Sequence, residues 1–237
     1  MLDFSEFEYL TFDCYGTLID WESGILCTVR PILAAHGIVA SDDEILRLYG
    51  EFEAEAEAGE FQIYRQILEG VVRAFGQRLG FVPSVAEVQS LPRSLAQWQP
   101  FPDTLGALHR LHSRFRLAVI SNVDSDLFAA TAKLLEVPFD AVITAQEVGS
   151  YKPALNNFHR ALQRIGRPHQ KILHVAQSLY HDIAPARTLG LKCVWVNRRA
   201  EQSGPGATKP ATAVPDLEVP SLAALAQLAL AGFPAPA

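Results

Sequence analysis

The feature that most constrains this chain is a recurrence of short runs that are apolar on both faces, most of them separated by helical patterns. They fall at residues 9–13, 117–121, 141–144, 172–176 and 192–196, with helical periodicity at 125–135, 156–165 and 181–189. A strand that is apolar on both faces needs cover on both faces, and connecting helices supply it. The expected fold class is α/β, a doubly wound and mostly parallel sheet. A last short strand is expected near 217–219, after a Gly/Pro/Ala loop, and a terminal helix within 221–233. Between the first and second runs the β signal vanishes. Ile45, Leu46, Leu48, Tyr49 and Phe52 recur at three- and four-residue steps, as do Phe61, Tyr64, Ile67, Leu68, Val71, Val72 and Phe75. The chain therefore divides into a core of residues 1–20 and 97–237 and a helical domain inserted at 21–96, with Pro92, Pro100 and Pro102 marking the return. The acid-rich run 51–60 reads as a solvated helix face.

Composition closes off several classes of function. The chain has 237 residues, 49% of them apolar, so a substantial core is within reach and disorder is excluded. Its formal charge of −6 lacks the basic field that draws proteins to nucleic acid or to anionic membranes. No run approaches the ~18 apolar residues of a membrane span, and the acidic start does not read as a signal peptide. Cys14, Cys27 and Cys193 are odd in number and far apart, which suits neither a disulfide framework nor a zinc site. A cytoplasmic protein with no nucleic-acid or membrane partner is the expectation.

Ligands of open parallel sheets bind beyond the carboxyl ends of the strands, so the polar residues at those ends belong together. The first strand ends in Asp13 and the second in Ser121 and Asn122; Lys152 follows the third, and the fourth leads through Gln177 and Ser178 to Asp182. A carboxylate nucleophile, donors for an anion, a balancing cation and a second carboxylate to aim water make a hydrolase's equipment. The less specific readings are ordinary ones: a turn aspartate, a surface lysine, and Ser121, Asn122 and Asp182 as helix-start residues. His174 falls inside a strand and reads as a hydrogen-bonded core histidine. His181 is a weaker candidate for the site. Cys14 should point away from it by the alternation of a strand.

These residues stand in four ordered motifs: Phe12-Asp13-Cys14-Tyr15-Gly16-Thr17-Leu18-Ile19-Asp20, Val119-Ile120-Ser121-Asn122, Tyr151-Lys152-Pro153, and the segment from His174 to Asp182. Together they resemble the haloacid dehalogenase superfamily over nearly the whole chain, and within it the (S)-2-haloacid dehalogenases. The resemblance implies a Rossmann-like core with an α-helical cap inserted after the first motif, and Asp13 as an attacking carboxylate. Superfamily phosphatases carry an acid at the place of Tyr15, to protonate a departing alkoxide; a halide leaves as a stable anion and needs none. The pair that would supply a magnesium carboxylate is Ala176-Gln177, and a neutral amide is a poor ligand for a hard cation. The implied reaction is displacement of halide from a 2-haloalkanoic acid through an aspartyl ester, giving a 2-hydroxy acid without a cofactor. Catalysis would rest on Asp13, Lys152 and Asp182, and substrate binding on Tyr15, Thr17, Ser121, Asn122 and Ser178. The small-molecule partner is a carboxylate, and by analogy the chain forms a homodimer.

Alternatives follow from departures. Those dehalogenases carry a Trp-Arg pair in the cap for the halide, where this chain has Tyr49-Gly50, and a Tyr where it has Phe158. Arg30, Arg47 and Arg65 are the candidates to replace the missing guanidinium. The other readings are a magnesium-dependent phosphatase, a hydrolase of another carbon–leaving-group or strained-ring bond, and a non-catalytic binding relative.

Overall fold

The computed structural model describes residues 2–202, 204 and 206–231. Its sheet has six strands, β1 (Tyr9–Phe12), β2 (Arg116–Ser121), β3 (Ala141–Thr144), β4 (Ile172–Ala176), β5 (Lys192–Val196) and β6 (Leu217–Val219), every pair parallel and in the order β3-β2-β1-β4-β5-β6. β1 lies between β2 and β4, so the order reverses direction there, and the crevice at its carboxyl end is the ligand position of such sheets. All six expected strands are present.

Alternation sorts the strand residues into two cores. Leu10, Phe12, Leu117, Val119, Leu173, Val175, Val194 and Val196 pack on one side with α5 (Thr104–His112), α6 (Ser125–Leu135) and α10 (Leu222–Leu230). Tyr9, Ala118, Ile120, Ile172, Ala176 and Cys193 pack on the other with α8 (Leu155–Ile165) and α9 (Ala184–Thr188). The terminal helix agrees with expectation as far as residue 230, and Phe233 lies outside the described residues. The sequence pattern marks no helix over residues 104–112, nor the single turn α7 (Ala145–Val148).

Residues 21–94 form four helices: α1 (Trp21–Ala35), α2 (Asp42–Glu57), α3 (Tyr64–Leu79) and α4 (Val85–Ser94). Ser41 begins α2 by accepting the Glu44 N–H, and Ser84 with Glu87 forms a reciprocal box at the start of α4. The chain leaves and rejoins the sheet side by side: the Asp20 N–H donates to the Gln99 carbonyl at 2.9 Å, and Ile19 bridges Pro100. α3 has no capping side chain of its own. Asp124, first in line to cap α6, instead accepts the N–H groups of Tyr64 at 2.7 Å and Arg65 at 3.0 Å. A buried core carboxylate thus satisfies the start of an insertion helix.

Candidate active site

Asp13 follows β1 directly, and the loop behind it is tight. The N–H groups of Leu18 and Ile19 converge on the Cys14 carbonyl, and Gly16 sits at φ +90°, where a Cβ would come 2.9 Å from the Trp21 ring. This turn brings Thr17 back over Asp13, and its Oγ1 donates to Asp13 Oδ2 at 2.7 Å while accepting the Gln177 N–H at 2.9 Å. Thr17 has no exposed surface and does not line the cavity above Asp13. Its expected place among substrate contacts is corrected: it holds the carboxylate.

Lys152 is the hub. Its buried ammonium donates to Asp13 Oδ1 at 2.8 Å, Asp182 Oδ1 at 2.7 Å and the Ile120 carbonyl at 2.9 Å. One cation therefore serves two buried carboxylates. Burial opposes its charge, but the two carboxylates outweigh burial and raise the Lys152 pKa. Burial alone would raise Asp182; Lys152 and His174 outweigh it, and Asp182 titrates below the ordinary range. Burial leaves Asp13 raised, against the pull of Lys152.

Asn122, expected among the substrate contacts, lines the cavity and has a second duty. It clasps the Lys152 backbone from both sides, accepting its N–H at 2.7 Å and donating to its carbonyl at 3.0 Å, and it also donates to Glu57. Its side chain is thereby committed to positioning. Tyr15 lines the cavity, but its hydroxyl pairs with Thr131 at 2.8 Å, and burial holds the phenol well above its usual range. Ser121 Oγ is buried in the cavity wall without a hydrogen-bond partner, as is Asp182 Oδ2. Ser178 lines the cavity and caps a π-helical turn, Leu179–Ile183, by accepting the His181 N–H. The wider turn, where the periodicity suggests an α-helix start, puts both His181 and Asp182 on the cavity.

His174 is the hydrogen-bonded core histidine that its strand position implies, yet its partners tie it to the site. Register places it opposite Thr11, which it meets at 2.9 Å through Nδ1, and Nε2 reaches Asp182 Oδ1 at 3.0 Å. Phe158 packs edge-on against its ring. Cys14 is buried in the apolar core and does not line the cavity, as strand alternation requires.

The acid-rich run is not simply a solvated face, and this expectation is corrected. Glu53 is buried and lines the Asp13 cavity, with Tyr49 Oη donating to its Oε1 at 2.8 Å and Tyr64 Oη at 2.5 Å. Burial pushes its carboxyl up to about 7 despite those two donors. The Glu57 side chain is also largely covered, and burial raises its carboxyl as well. His181 Nε2 lies 3.7 Å from it, and burial lowers the imidazole to about 4. The signal is present in the sequence: four-residue steps from Ile45 through Tyr49 lead to Glu53 and Glu57. Trp21, Gln177 and Thr208 complete the wall.

None of the candidate arginines reaches this wall. Arg30 pairs with Asp42, Arg47 with Glu51 and Arg65 with Asp126, all on the surface. The cavity itself is small, roughly 30 Å³. A larger space of about 460 Å³ shares Trp21 and Gln177 with it but touches none of Asp13, Lys152 or Asp182. The three residues joined by the bridge all line the smaller one.

A buried aspartate at the switch point of a parallel sheet, bridged by one lysine to a second aspartate, defines a class of hydrolase. The haloacid dehalogenase-like hydrolase family model matches residues 7–190, and the chain belongs to that family. It is 27% identical to an (S)-2-haloacid dehalogenase of Pseudomonas fluorescens over 79% of this chain and 83% of that one. It is 28% identical to a glyceraldehyde 3-phosphate phosphatase of Methanothermobacter thermautotrophicus over 78% of this chain and 84% of that one. Among solved structures, an L-2-haloacid dehalogenase superposes with a TM-score of 0.79 at 25% identity, covering 95% of this chain and all of the other.

Phosphatases of this superfamily use magnesium, and the donor set here fits it poorly. The Lys152 ammonium already bridges Asp13 and Asp182, and the neighbouring position that would add a carboxylate is Gln177. Among the described residues no helix is long and apolar enough to cross a membrane.

Proposed function

We propose that the chain is a hydrolase of the 2-haloacid dehalogenase type, breaking a carbon–leaving-group bond in a small carboxylic acid through an aspartyl ester. The observation that carries this reading is the Asp13–Lys152–Asp182 bridge together with Tyr15 turned to Thr131. The first holds an attacking carboxylate in place against a cation. The second leaves the position of a phosphatase's acid without a free proton donor, which costs an alkoxide leaving group typically ~10²–10⁴-fold.

In this reading helices α1–α4 are a cap over the site. An Asp13 oxygen bonds to the substrate carbon as the leaving group takes the bonding pair. Lys152 and Thr17 fix the carboxylate, and Ser121 Oγ is free to donate to the substrate carboxylate. A water hydrogen-bonded to the open Oδ2 of Asp182 then attacks the ester carbonyl and releases a hydroxy acid. In the dehalogenase relatives' reaction, as their name states, the leaving group is halide.

A single turnover in ¹⁸O-labelled water tests the pathway. Label should enter Asp13, found by mass spectrometry of its peptide, and reach product only in the next turnover. Label going straight to product would sink the ester.

A further inference from the structure

An in-line displacement sends the leaving group away from Asp13 and the sheet, toward the insertion. The insertion's side chains on the cavity wall are Trp21 and Glu53. An indole and a carboxylate are partners for a cation, not for a departing anion. Behind Glu53, the largely covered side chain of Glu57 adds a second acid, and the cation on the wall, Lys152, is already committed to two carboxylates. A departing halide would meet buried acids there and no uncommitted cation on the wall. Position 50, where a halide-binding arginine would stand, is glycine with the Ala207 carbonyl against it. Ser121 Oγ and Asp182 Oδ2, buried and unpartnered on the same wall, also await a ligand.

We propose that the group displaced by Asp13 is a ring nitrogen in its ammonium form, so that the substrate is a small strained cyclic ammonium held against Glu53 and Trp21. This inference rests on the aspartyl-ester reading. An unstrained amine is too poor a leaving group, whereas opening a three- or four-membered ring releases strain as the carbon–nitrogen bond breaks. The Asp13 oxygen bonds to the ring carbon, the bonding pair stays on nitrogen, and a neutral primary amine is left on the tethered chain. Water then adds at the Asp13 carbonyl carbon, the ester C–O bond to that carbon breaks, and the alcohol departs. The proton released with it passes to the amine. Atoms and charge balance without an oxidant, reductant or metal.

The test compares azetidine-2-carboxylate, its oxygen analogue oxetane-2-carboxylate, which lacks the ring cation, and 2-chloropropionate on the wild-type protein, Glu53→Gln and Asp13→Asn. The wild type should open the azetidine ring, reading as a new primary amine, and should be far slower on the oxetane. Glu53→Gln should lose ~10²–10³-fold in kcat/KM on azetidine-2-carboxylate. Any chloride release from 2-chloropropionate should instead rise in that variant, since an acid facing the departing anion is gone. Should Glu53→Gln fail to fold, thermal protection of the wild type by azetidine-2-carboxylate, and not by the oxetane, tests the same point. An inert azetidine that gives no protection, or halide release indifferent to Glu53 with no ring opening, overturns the inference and leaves the ester reading standing. Ring opening that survives Asp13→Asn overturns the ester reading instead.

Discussion

Gly50 lies so close to Ala207 that a Cβ built on it would stand 2.3 Å from the Ala207 carbonyl oxygen. The place of the dehalogenases' arginine is thus filled from the other side by backbone. Ala207 is fixed there in turn, its N–H donating to Glu22 Oε1 at 2.9 Å, and its neighbour Thr208 reaches Gln177 and the cavity wall.

Gly50→Ala should accordingly be destabilised by about 1–3 kcal/mol, since backbone must move to admit one methyl. Gly50→Arg should be worse and should not create halide binding. Urea unfolding measures both; a neutral Gly50→Ala would show that the loop yields freely.

Removing Lys152 leaves two carboxylates buried and uncompensated. Lys152→Met should abolish turnover and cost on the order of 3–5 kcal/mol. The double variant with Asp13→Asn should recover part of that stability and none of the activity. A single variant as stable as wild type would contradict the bridge.

Glu53 gives stability a pH dependence of definite sign. Its folded value of about 7 lies above the ordinary 4.5, so its contribution is full below 4.5 and is lost as pH rises through 7. Glu53→Gln, which cannot ionise, should lose less stability than wild type between pH 5 and 8, by up to roughly 3 kcal/mol. Glu57, Tyr49, Tyr64, Asp13 and His181 surround the site in both proteins, so the difference isolates Glu53. Parallel stability curves would refute the assignment.

Asp124→Ala should expose the start of α3. The loss is expected at about 1–2 kcal/mol, the range for a helix N-cap, with faster hydrogen exchange at Tyr64 and Arg65. Unchanged exchange there would mean that the helix start finds other acceptors.

Much of this site is legible in the sequence. Asp13, Ser121, Lys152 and Asp182 can be placed together because a parallel sheet delivers its strand ends to one crevice. The sheet itself is readable because its strands are apolar on both faces. What is not legible depends on tertiary packing. Glu53 and Glu57 sit in a run of acids whose bulk is solvated, and its charge patterning masks the four-residue spacing from Ile45 and Tyr49 that marks the two turned inward. Tyr15 and Thr17 are adjacent to a visible motif, yet their partners, Thr131 and Gln177, lie more than a hundred residues away. The π-helical turn at 179–183 leaves no mark in the apolar periodicity, because its extra residue is absorbed by hydrogen bonds and not by hydrophobic spacing.

Asp124 and Glu53 have no direct contact, but one residue serves both. Tyr64 offers its backbone N–H to Asp124 and its hydroxyl to Glu53. Only the first of these crosses from the core to the insertion; the second lies wholly within the insertion, between α3 and α2. The start of α3 is thus finished by the sheet domain, while the setting of Glu53 is carried by the insertion itself, and Tyr64 is the residue common to both.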